Sequence, residues 1–281
     1  MLELMITAPA SGSGKTILTC ALLAALKKRG RTPCAFKCGP DYIDPMFHRS
    51  VLGVESHNLD LFLAGEDDVR RLYAKYSGGH GAAVTEGAMG FYDGLGGTTD
   101  RASAWHVSDT LGLPVLLALR PKGASLTLAA QVGGLQSFRR ERHLAGLFLN
   151  DCSTMLAKSL VPMLERETGL PVLGWLPHME EAVLESRHLG LYTAGEIENL
   201  SARIDRAADV LSENLDWDQL DALFSRRADR AAVPAAERVD GVPVAVARDE
   251  AFCFAYAETL DALREAGASL RFFSPLGDAA L

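Results

Sequence analysis

The segment with the clearest chemical meaning is residues 8–16, which read A-P-A-S-G-S-G-K-T. It matches the phosphate-binding pattern G-x-x-x-x-G-K-[ST] except that Pro9 replaces the first glycine. In such loops, glycines let backbone N–H groups turn toward phosphates, the lysine reaches the β- and γ-oxygens, and the hydroxyl ligates Mg²⁺. An ordinary Gly/Ser turn would not need the strand before it and the helix after it. The predicted nucleotide contacts are Gly12, Ser13, Gly14, Lys15 and Thr16.

Two further sequence features indicate which nucleotide is bound. Partition and targeting ATPases carry an additional lysine in this loop, and Ala10 stands in its place here. Guanine-specific proteins usually read their base with N-K-x-D, whereas this chain has N-D-C-S at residues 150–153. We therefore predict ATP as the nucleotide, with Asn150 as a candidate contact to the base.

A second polar segment, residues 37–45, reads K-C-G-P-D-Y-I-D-P and follows a predicted strand. Ligands bind at the carboxyl edge of parallel sheets, so Lys37, Asp41 and Asp44 are candidate site residues. Asp44 precedes Pro45, and these two residue types also simply begin helices, so both interpretations of Asp44 stay open. Asp41 has no comparable local explanation and is the preferred direct or water-mediated Mg²⁺ ligand.

A third segment closes the strand predicted over residues 82–85. Glu86 follows that strand, and an acidic residue at this place beside a phosphate loop is typical of a metal-coordinating carboxylate. The glycines of the next eight residues would let the loop approach a ligand closely. Asp93 lies in the same loop, and on its residue type alone a turn is the favoured interpretation.

The elements that must position these segments alternate between strands and helices. Apolar runs predict strands at residues 2–7, 33–37, 82–85, 114–119, 144–149 and 171–176. Helical periodicity predicts helices at residues 17–29, 67–76, 103–111, 125–138 and 156–168, with Gly30 ending the first. Near-continuous apolarity indicates strands buried on both faces, hence a doubly wound, mostly parallel α/β sheet of the P-loop type.

The pattern changes after Pro177. Helices are expected around residues 197–213 and 217–224, followed by an arginine- and alanine-rich linker at 226–241. A strand at 242–247, a helix at 252–265 and a strand at 269–273 then predict a new βαβ unit. We therefore divide the chain into a domain at 1–225, a linker at 226–241 and the start of a second α/β domain at 242–281.

Composition excludes several classes of function. A net charge of −8 and a pI near 5.4 argue against nucleic acid as a partner. No apolar run approaches the length of a membrane span and no basic leader precedes residues 1–7, so we expect a cytoplasmic protein. The five cysteines and seven histidines show no metal-binding spacing, and the cysteines suggest no disulfide scaffold.

Five segments together resemble one family, the cobyrinate (or hydrogenobyrinate) a,c-diamide synthases, across the whole chain. They are the phosphate loop at 8–16, K-x-G-P-D-Y-I-D-P-x-F-H at 37–48, N-L-D at 58–60, E-G-x-M-G-x-x-D-G at 86–94, and S-R-H-L-G-L at 186–191. The resemblance implies a dethiobiotin-synthetase-like domain followed by a class I glutamine amidotransferase domain. It also implies ATP-dependent phosphorylation of the c and then the a carboxylate of a corrinoid, with ammonia from glutamine displacing each phosphate.

Phosphoryl transfer requires positioning and charge neutralisation, which we expect from Lys15, Lys37 and a Mg²⁺ held by Thr16, Asp41 and Glu86. The resemblance bears on further residues. It also adds Asp44 and Asp93 as residues that orient the substrate carboxylate or the nucleotide. Two departures stand out. No cysteine lies in the G-x-C-x-G turn of a glutaminase, so that nucleophile is not in this chain. Residues 120–122 read R-P-K, where an acidic residue is expected and where a basic substrate pocket is an alternative.

Two other functions remain as alternatives. A related amidoligase acting on another tetrapyrrole, such as nickel-sirohydrochlorin, differs only in its substrate. A non-enzymatic nucleotide switch is disfavoured because the additional loop lysine is missing. The expected partners are a corrinoid polycarboxylate and glutamine or ammonia, and a homodimer is left open.

Overall fold

The computed structural model describes residues 1–139, 143–179, 194–226 and 241–279, without the side chains of 194–198. The predicted motif at residues 186–191 and most of the predicted linker, residues 227–240, therefore lie outside the described residues.

One parallel sheet forms the centre of the fold. Its seven strands are β1 (Leu2–Thr7), β2 (Pro33–Cys38), β3 (Ser56–Leu59), β4 (Ala82–Glu86), β5 (Val115–Leu119), β6 (Leu144–Asn150) and β7 (Val172–Leu176). Their order across the sheet is β3-β2-β4-β1-β5-β6-β7, and every neighbouring pair is parallel. The carboxyl ends of β1, β2 and β4 are therefore side by side, which brings the three predicted site segments to one edge. The predicted doubly wound fold class is confirmed.

Helices cover both faces of this sheet. They are α1 (Lys15–Lys28), α2 (Ile43–Ser50), α3 (Gly65–Ser77), α4 (Ala104–Leu111), α5 (Leu126–Phe138), α6 (Thr154–Thr168), α7 (Ala194–Asn214) and α8 (Trp217–Phe224). Side chains alternate along β1: Leu2, Leu4 and Ile6 pack in the core beneath α1, α7 and α8, whereas Met5 packs in the opposite core. Helix α1 ends as predicted, with Arg29 as its C-cap and Gly30 following at φ 74°.

Near the site, strand β3 was not predicted from the sequence, and helix α2 was considered only as one interpretation of Asp44 and Pro45. Strand β3 reads S-H-N-L, which lacks the apolar pattern of a strand, yet all four residues are buried. Helix α2 is short and begins at Ile43. Because β3 precedes it in the chain, Ala82–Glu86 is the fourth strand rather than the third, although its position at the site is unaffected.

The C-terminal residues form the predicted βαβ unit. Strands β8 (Pro243–Ala247) and β9 (Ser269–Phe273) pair in parallel as a separate two-stranded sheet, with α9 (Ala257–Glu265) between them. Helix α9 is shorter than predicted, because Tyr256 is its N-cap in an extended conformation. In contrast to the central strands, β8 and β9 have no fully buried residue. Among the described residues, no helix has the length and apolarity needed to cross a bilayer.

Candidate functional site

The phosphate loop connects the carboxyl end of β1 to the first turn of α1. Gly12 and Gly14 have φ angles of 75° and 87°, which side-chain-bearing residues rarely adopt. A Cβ on Gly14 would lie 1.8 Å from the side-chain nitrogen of Asn150, and that nitrogen donates to the carbonyl of Ser13 at 3.1 Å. The predicted base contact, Asn150, therefore packs directly against the loop.

Lys15 is buried at the start of α1, with 8% of its surface exposed. Its Nζ donates to the carbonyl oxygen of Ala10 at 3.3 Å and to that of Met89 at 2.5 Å. Burial lowers the pKa of Lys15, and the carboxylate of Glu86 opposes this only in part. Both hydrogen-bond partners are neutral carbonyl oxygens. A phosphate could replace them and would provide the ammonium group with a negatively charged partner.

Glu86 joins the phosphate loop to the lysine–carboxylate segment. It is fully buried at the end of β4, where it lies in register with Ile6 of β1 and Lys37 of β2. Its Oε1 accepts hydrogen bonds from the Thr16 hydroxyl at 2.7 Å and from Lys37 Nζ at 2.9 Å. The structure thus brings together three residues that are far apart in the sequence.

Lys37 lies at the centre of a compact charge cluster. In addition to Glu86, its Nζ lies 2.5 Å from an oxygen of Asp44 and 3.8 Å from one of Asp41. Burial lowers the pKa of Lys37, but the three carboxylates outweigh it and hold this pKa above its ordinary value. Burial and the neighbouring Glu86 raise the pKa of Asp44, against the opposing effect of Lys37. Lys37 is therefore a fixed cation.

The structure gives Asp41 a local role that the sequence analysis did not consider, and it removes one of the two interpretations of Asp44. Asp41 Oδ1 accepts hydrogen bonds from the backbone N–H groups of Ile43 at 2.9 Å and Asp44 at 3.3 Å. Asp41 therefore has a structural task in stabilising the first turn of α2. The interpretation of Asp44 as an N-cap before Pro45 is wrong, since α2 already begins at Ile43 and its N-cap is Tyr42.

The loop after β4 approaches the phosphate loop. A Cβ on Gly90 would lie 2.6 Å from the carbonyl oxygen of Pro9, so only glycine permits this contact without a shift. Asp93 accepts a hydrogen bond from the backbone of Gly90 at 3.0 Å, which matches the predicted turn. Met89, whose carbonyl binds Lys15, has a φ of 52° although it is not glycine.

The donor set around Thr16 and Glu86 fits Mg²⁺. In the described ranges, no cluster of three or more His, Cys, Asp or Glu side chains is arranged to hold a metal. Mg²⁺ bound to a nucleotide needs no such cluster, since phosphates, water and one or two protein oxygens complete its octahedron. Glu86 Oε2 is buried without a hydrogen-bond partner, so it is an oxygen for which a cation is a suitable partner.

Two further residues contact the loops of the site. Asn58 of β3 donates to the carbonyl oxygens of Gly39 and Asp41 at 2.9 and 2.7 Å, and only its presence in the N-L-D segment pointed to it. Arg120, considered for a basic substrate pocket, donates to Asp151 at 2.7 Å and to the carbonyl of Gly12 at 3.3 Å. Its charge is therefore already paired beside the phosphate loop.

A pocket of about 430 Å³ opens next to the charge cluster. It is lined by residues of the loop that follows β2, among them Asp41 and Tyr42, by Ala88 after β4, and by Phe254 of the C-terminal unit. The site thus offers a phosphate loop, a carboxylate–lysine cluster and an adjoining partly apolar cavity.

A phosphate loop at the carboxyl edge of a parallel sheet is typical of a nucleotide-binding protein. Comparison with known protein families leads to the same class of protein. Residues 4–191 match the model of the CobQ/CobB/MinD/ParA nucleotide binding domain, and the chain belongs to this family.

Curated relatives are more specific, and they match the resemblance seen in the sequence. Cobyrinate a,c-diamide synthases from Synechococcus sp. and Clostridium acetobutylicum are 41% and 40% identical over 99% of this chain. Hydrogenobyrinate a,c-diamide synthase from Brucella anthropi is 39% identical over 98% of it. The chain spans 62% to 63% of the length of these relatives. Among solved structures, the receptor FtsY from Elizabethkingia anophelis covers 72% of this chain and 65% of its own at 10% identity, with a TM-score of 0.49, too low to support an argument.

Proposed function

We propose that this chain carries the synthetase reaction of a corrinoid a,c-diamide synthase in cobalamin biosynthesis. The substrate is cobyrinate or hydrogenobyrinate, the phosphoryl donor is ATP, and the nitrogen comes from ammonia or from glutamine. Residues 1–225 are the synthetase domain, 226–241 the linker, and 242–281 the start of a glutamine amidotransferase domain. We place this reaction in the cytoplasm, and a homodimer is the assembly to test.

The observation that carries the proposal is the direct link between phosphate loop and charge cluster. Thr16 and Lys37 both donate to the same oxygen of Glu86, and Lys37 also contacts Asp44. A carboxylate substrate and a triphosphate repel each other, so their approach requires fixed positive charge between them. Identity of 39% to 41% with diamide synthases supports this function over a nucleotide switch.

Each amidation proceeds in two steps. A carboxylate oxygen of the corrinoid attacks the γ-phosphorus of ATP, its bond to the β-phosphate oxygen breaks, and ADP leaves. The lone pair of ammonia then attacks the acyl carbon, the carbon–oxygen bond to phosphate breaks, and inorganic phosphate and a proton depart. The product is an amide, first at position c and then at position a.

The residues of this chain would position and neutralise the reactants. Bound Mg²⁺ would supply charge neutralisation on the phosphate oxygens, with Thr16, Glu86 and Asp41 as its protein ligands. Lys15 would turn from the carbonyl oxygens of Ala10 and Met89 toward the β- and γ-phosphates. Lys37 would face the transferred phosphoryl group, with Asp44 and Asp93 orienting the reactants and Asn150 contacting the adenine.

Mass spectrometry of the reaction products tests this function. The 281-residue chain is incubated with ATP, Mg²⁺, ammonium and, in separate samples, cobyrinate, hydrogenobyrinate and nickel-sirohydrochlorin. We expect products about one mass unit lighter per amide formed, stopping at two amides, for one of the first two substrates. The variant Glu86→Gln is the matched negative control. Products from the nickel compound alone would replace the substrate assignment, and ATP turnover without any amide would overturn the proposal.

A further inference from the structure

Helix α9 of the C-terminal unit packs against the outer edge of the central sheet, where β3 is the last strand. Glu258 is the buried centre of this contact, with 9% of its surface exposed. Its Oε1 accepts a hydrogen bond from the backbone N–H of Asn58 at 3.0 Å and lies 2.7 Å from Nδ1 of His57. The carboxylate of Glu258, a residue of the C-terminal unit, is thus buried against strand β3 of the central sheet.

Asn58 carries this contact onward to the site. Its side-chain nitrogen donates to the carbonyl oxygens of Gly39 and Asp41 at 2.9 and 2.7 Å, and 7% of the residue is exposed. Asp41 in turn holds the first turn of α2 and lies 3.8 Å from Lys37. One residue, Asn58, therefore binds α9 with its backbone and the site loop with its side chain.

The same loop contacts the C-terminal unit at a second point. The ring of Tyr42 stacks on that of Tyr256 with centroids 4.7 Å apart, and it lies 5.3 Å from the ring of Phe254. The loop between β2 and α2 is thus held both through Asn58 and directly by aromatic rings. Helix α9 also makes contacts that do not involve Asn58 directly, such as the 2.5 Å ion pair between Glu265 and Lys75.

We propose that Glu258 is a positioning residue for the loop at residues 39–42, and that it acts through Asn58. Its carboxylate fixes the backbone of Asn58, which in turn fixes the carbonyl groups of Gly39 and Asp41. The placement of Asp41 beside Lys37 thereby depends on a residue of the C-terminal unit. The expected effect of Glu258 on the reaction rate rests on the proposed amidation, whereas its effect on the loop does not.

Hydrogen–deuterium exchange of the 281-residue chain tests the coupling without relying on activity. In Glu258→Ala we expect backbone amides of residues 39–44 to exchange about tenfold faster, as expected for the loss of a charge-assisted hydrogen bond. Amides of α1 should change by less than about twofold, which also shows that the variant is folded. Glu258→Gln retains an oxygen that accepts from Asn58, so it should restore most of the protection.

The matched control is Glu265→Ala, which removes a carboxylate from the same helix but from an ion pair in which Asn58 takes no part. It should leave exchange at residues 39–44 unchanged. Asn58→Ala should reproduce the effect of Glu258→Ala, and the double variant should show no further increase, because both residues act along one path. Equal effects of Glu258→Ala and Glu265→Ala, or additive effects in the double variant, would overturn the coupling.

Kinetics then separate the coupling from the proposed function. In Glu258→Ala, the KM for the corrinoid should rise about tenfold, and Mg²⁺ should bind more weakly because Asp41 is one of its proposed ligands. The Kd for a non-hydrolysable ATP analogue, measured without Mg²⁺, should change less than about twofold. If the unmodified chain forms no amide but exchange at residues 39–44 still responds to Glu258, the amidation proposal fails and the coupling stands. If the unmodified chain forms amides and Glu258→Ala behaves like Glu265→Ala, the coupling fails alone.

Discussion

The two buried lysines of the site, Lys15 in the phosphate loop and Lys37 in the charge cluster, have opposite surroundings. Within the described part of the chain, Nζ of Lys15 binds two backbone carbonyl oxygens, whereas Nζ of Lys37 contacts the carboxylates of Glu86, Asp44 and Asp41. Burial consequently lowers the pKa of Lys15, while the carboxylates raise that of Lys37 despite its burial. The two lysines are therefore buried to a similar extent but differ in their partners. Lys15 can exchange its carbonyl partners for a phosphate, whereas Lys37 stays paired with carboxylates.

This difference indicates a division of tasks. A lysine held by neutral oxygens can move to an incoming phosphate without leaving a carboxylate unpaired. A lysine that compensates three carboxylates cannot leave them without a large penalty, because each would remain as an uncompensated buried charge. We therefore expect Lys15 to matter chiefly for the nucleotide and Lys37 chiefly for the integrity of the site.

The largest effect is expected from Lys15→Ala. Without the ammonium, the triphosphate loses its main cationic contact, and ATP turnover should fall by about 10³-fold. Nucleotide affinity, measured by titration calorimetry, should fall with it. The control is Lys28→Ala at the other end of α1, where the lysine forms surface ion pairs with Asp205 and Asp209. Undiminished affinity and turnover in Lys15→Ala would refute the phosphate-loop assignment.

Replacing each lysine by methionine compares their contributions to stability. Lys37→Met leaves Asp44 and Glu86 without their cation and should lower the free energy of unfolding by about 3–5 kcal/mol. Lys15→Met leaves two neutral carbonyl oxygens, those of Ala10 and Met89, without their donor and should change it by about 1 kcal/mol. Urea denaturation measures both values, and equal losses would contradict the division of tasks.

The pH dependence of the free energy of unfolding tests a buried group beside the charge cluster, His48 of α2. His48 is fully buried against Ser56, and burial lowers its pKa to about 4. Because this pKa is depressed on folding, its contribution to stability is complete above about pH 6.5 and is lost as the pH falls toward 4. The loss should be on the order of 3 kcal/mol.

Asp44 has the opposite dependence, since its raised pKa gives a contribution that is lost as the pH rises. The effect of His48 is therefore measured as a difference, with urea unfolding of the unchanged chain and of His48→Asn at several pH values. The slope between pH 6.5 and 4 should be smaller in the variant. An unchanged slope would show that the imidazole is not the group responsible.

The smallest effect separates the two glycines of the phosphate loop. Both have positive φ angles, but a Cβ on Gly12 would meet nothing within 4 Å, whereas one on Gly14 would collide with Asn150. Gly12→Ala should therefore cost about 1 kcal/mol of backbone strain, and Gly14→Ala about 2 kcal/mol or more. Thermal unfolding measures the difference, and similar values would mean that Asn150 moves away freely.

Sequence analysis predicted the fold from patterns that depend on local chemistry. The apolar strands, the glycine-ended first helix and the segments at residues 8–16, 37–45 and 86–94 all lie where the pattern placed them. Each of these elements is recognisable from its own residues. Strands buried on both faces require apolar residues, and positive φ angles favour glycine.

The elements that were missed depend on distant partners. Strand β3 reads S-H-N-L, and α2, α3 and α9 pack against it. Glu258 of α9, which binds the backbone of Asn58, lies 200 residues later in the chain. The local contacts of Asp41 and Asp44 could not be read from the sequence, because residue type alone does not specify which carboxylate binds the first turn of α2 and which binds Lys37.

The outer edge of β3 has one more consequence, for association between molecules. Alternate residues of this strand direct their backbone groups away from β2, and side chains of the same molecule bind two of these groups. Arg49 donates to the carbonyl of Ser56 at 2.7 Å, and Glu258 accepts from the N–H of Asn58. These two contacts occupy part of the backbone edge that a strand of a second molecule would need, which disfavours edge-to-edge aggregation at this end of the sheet.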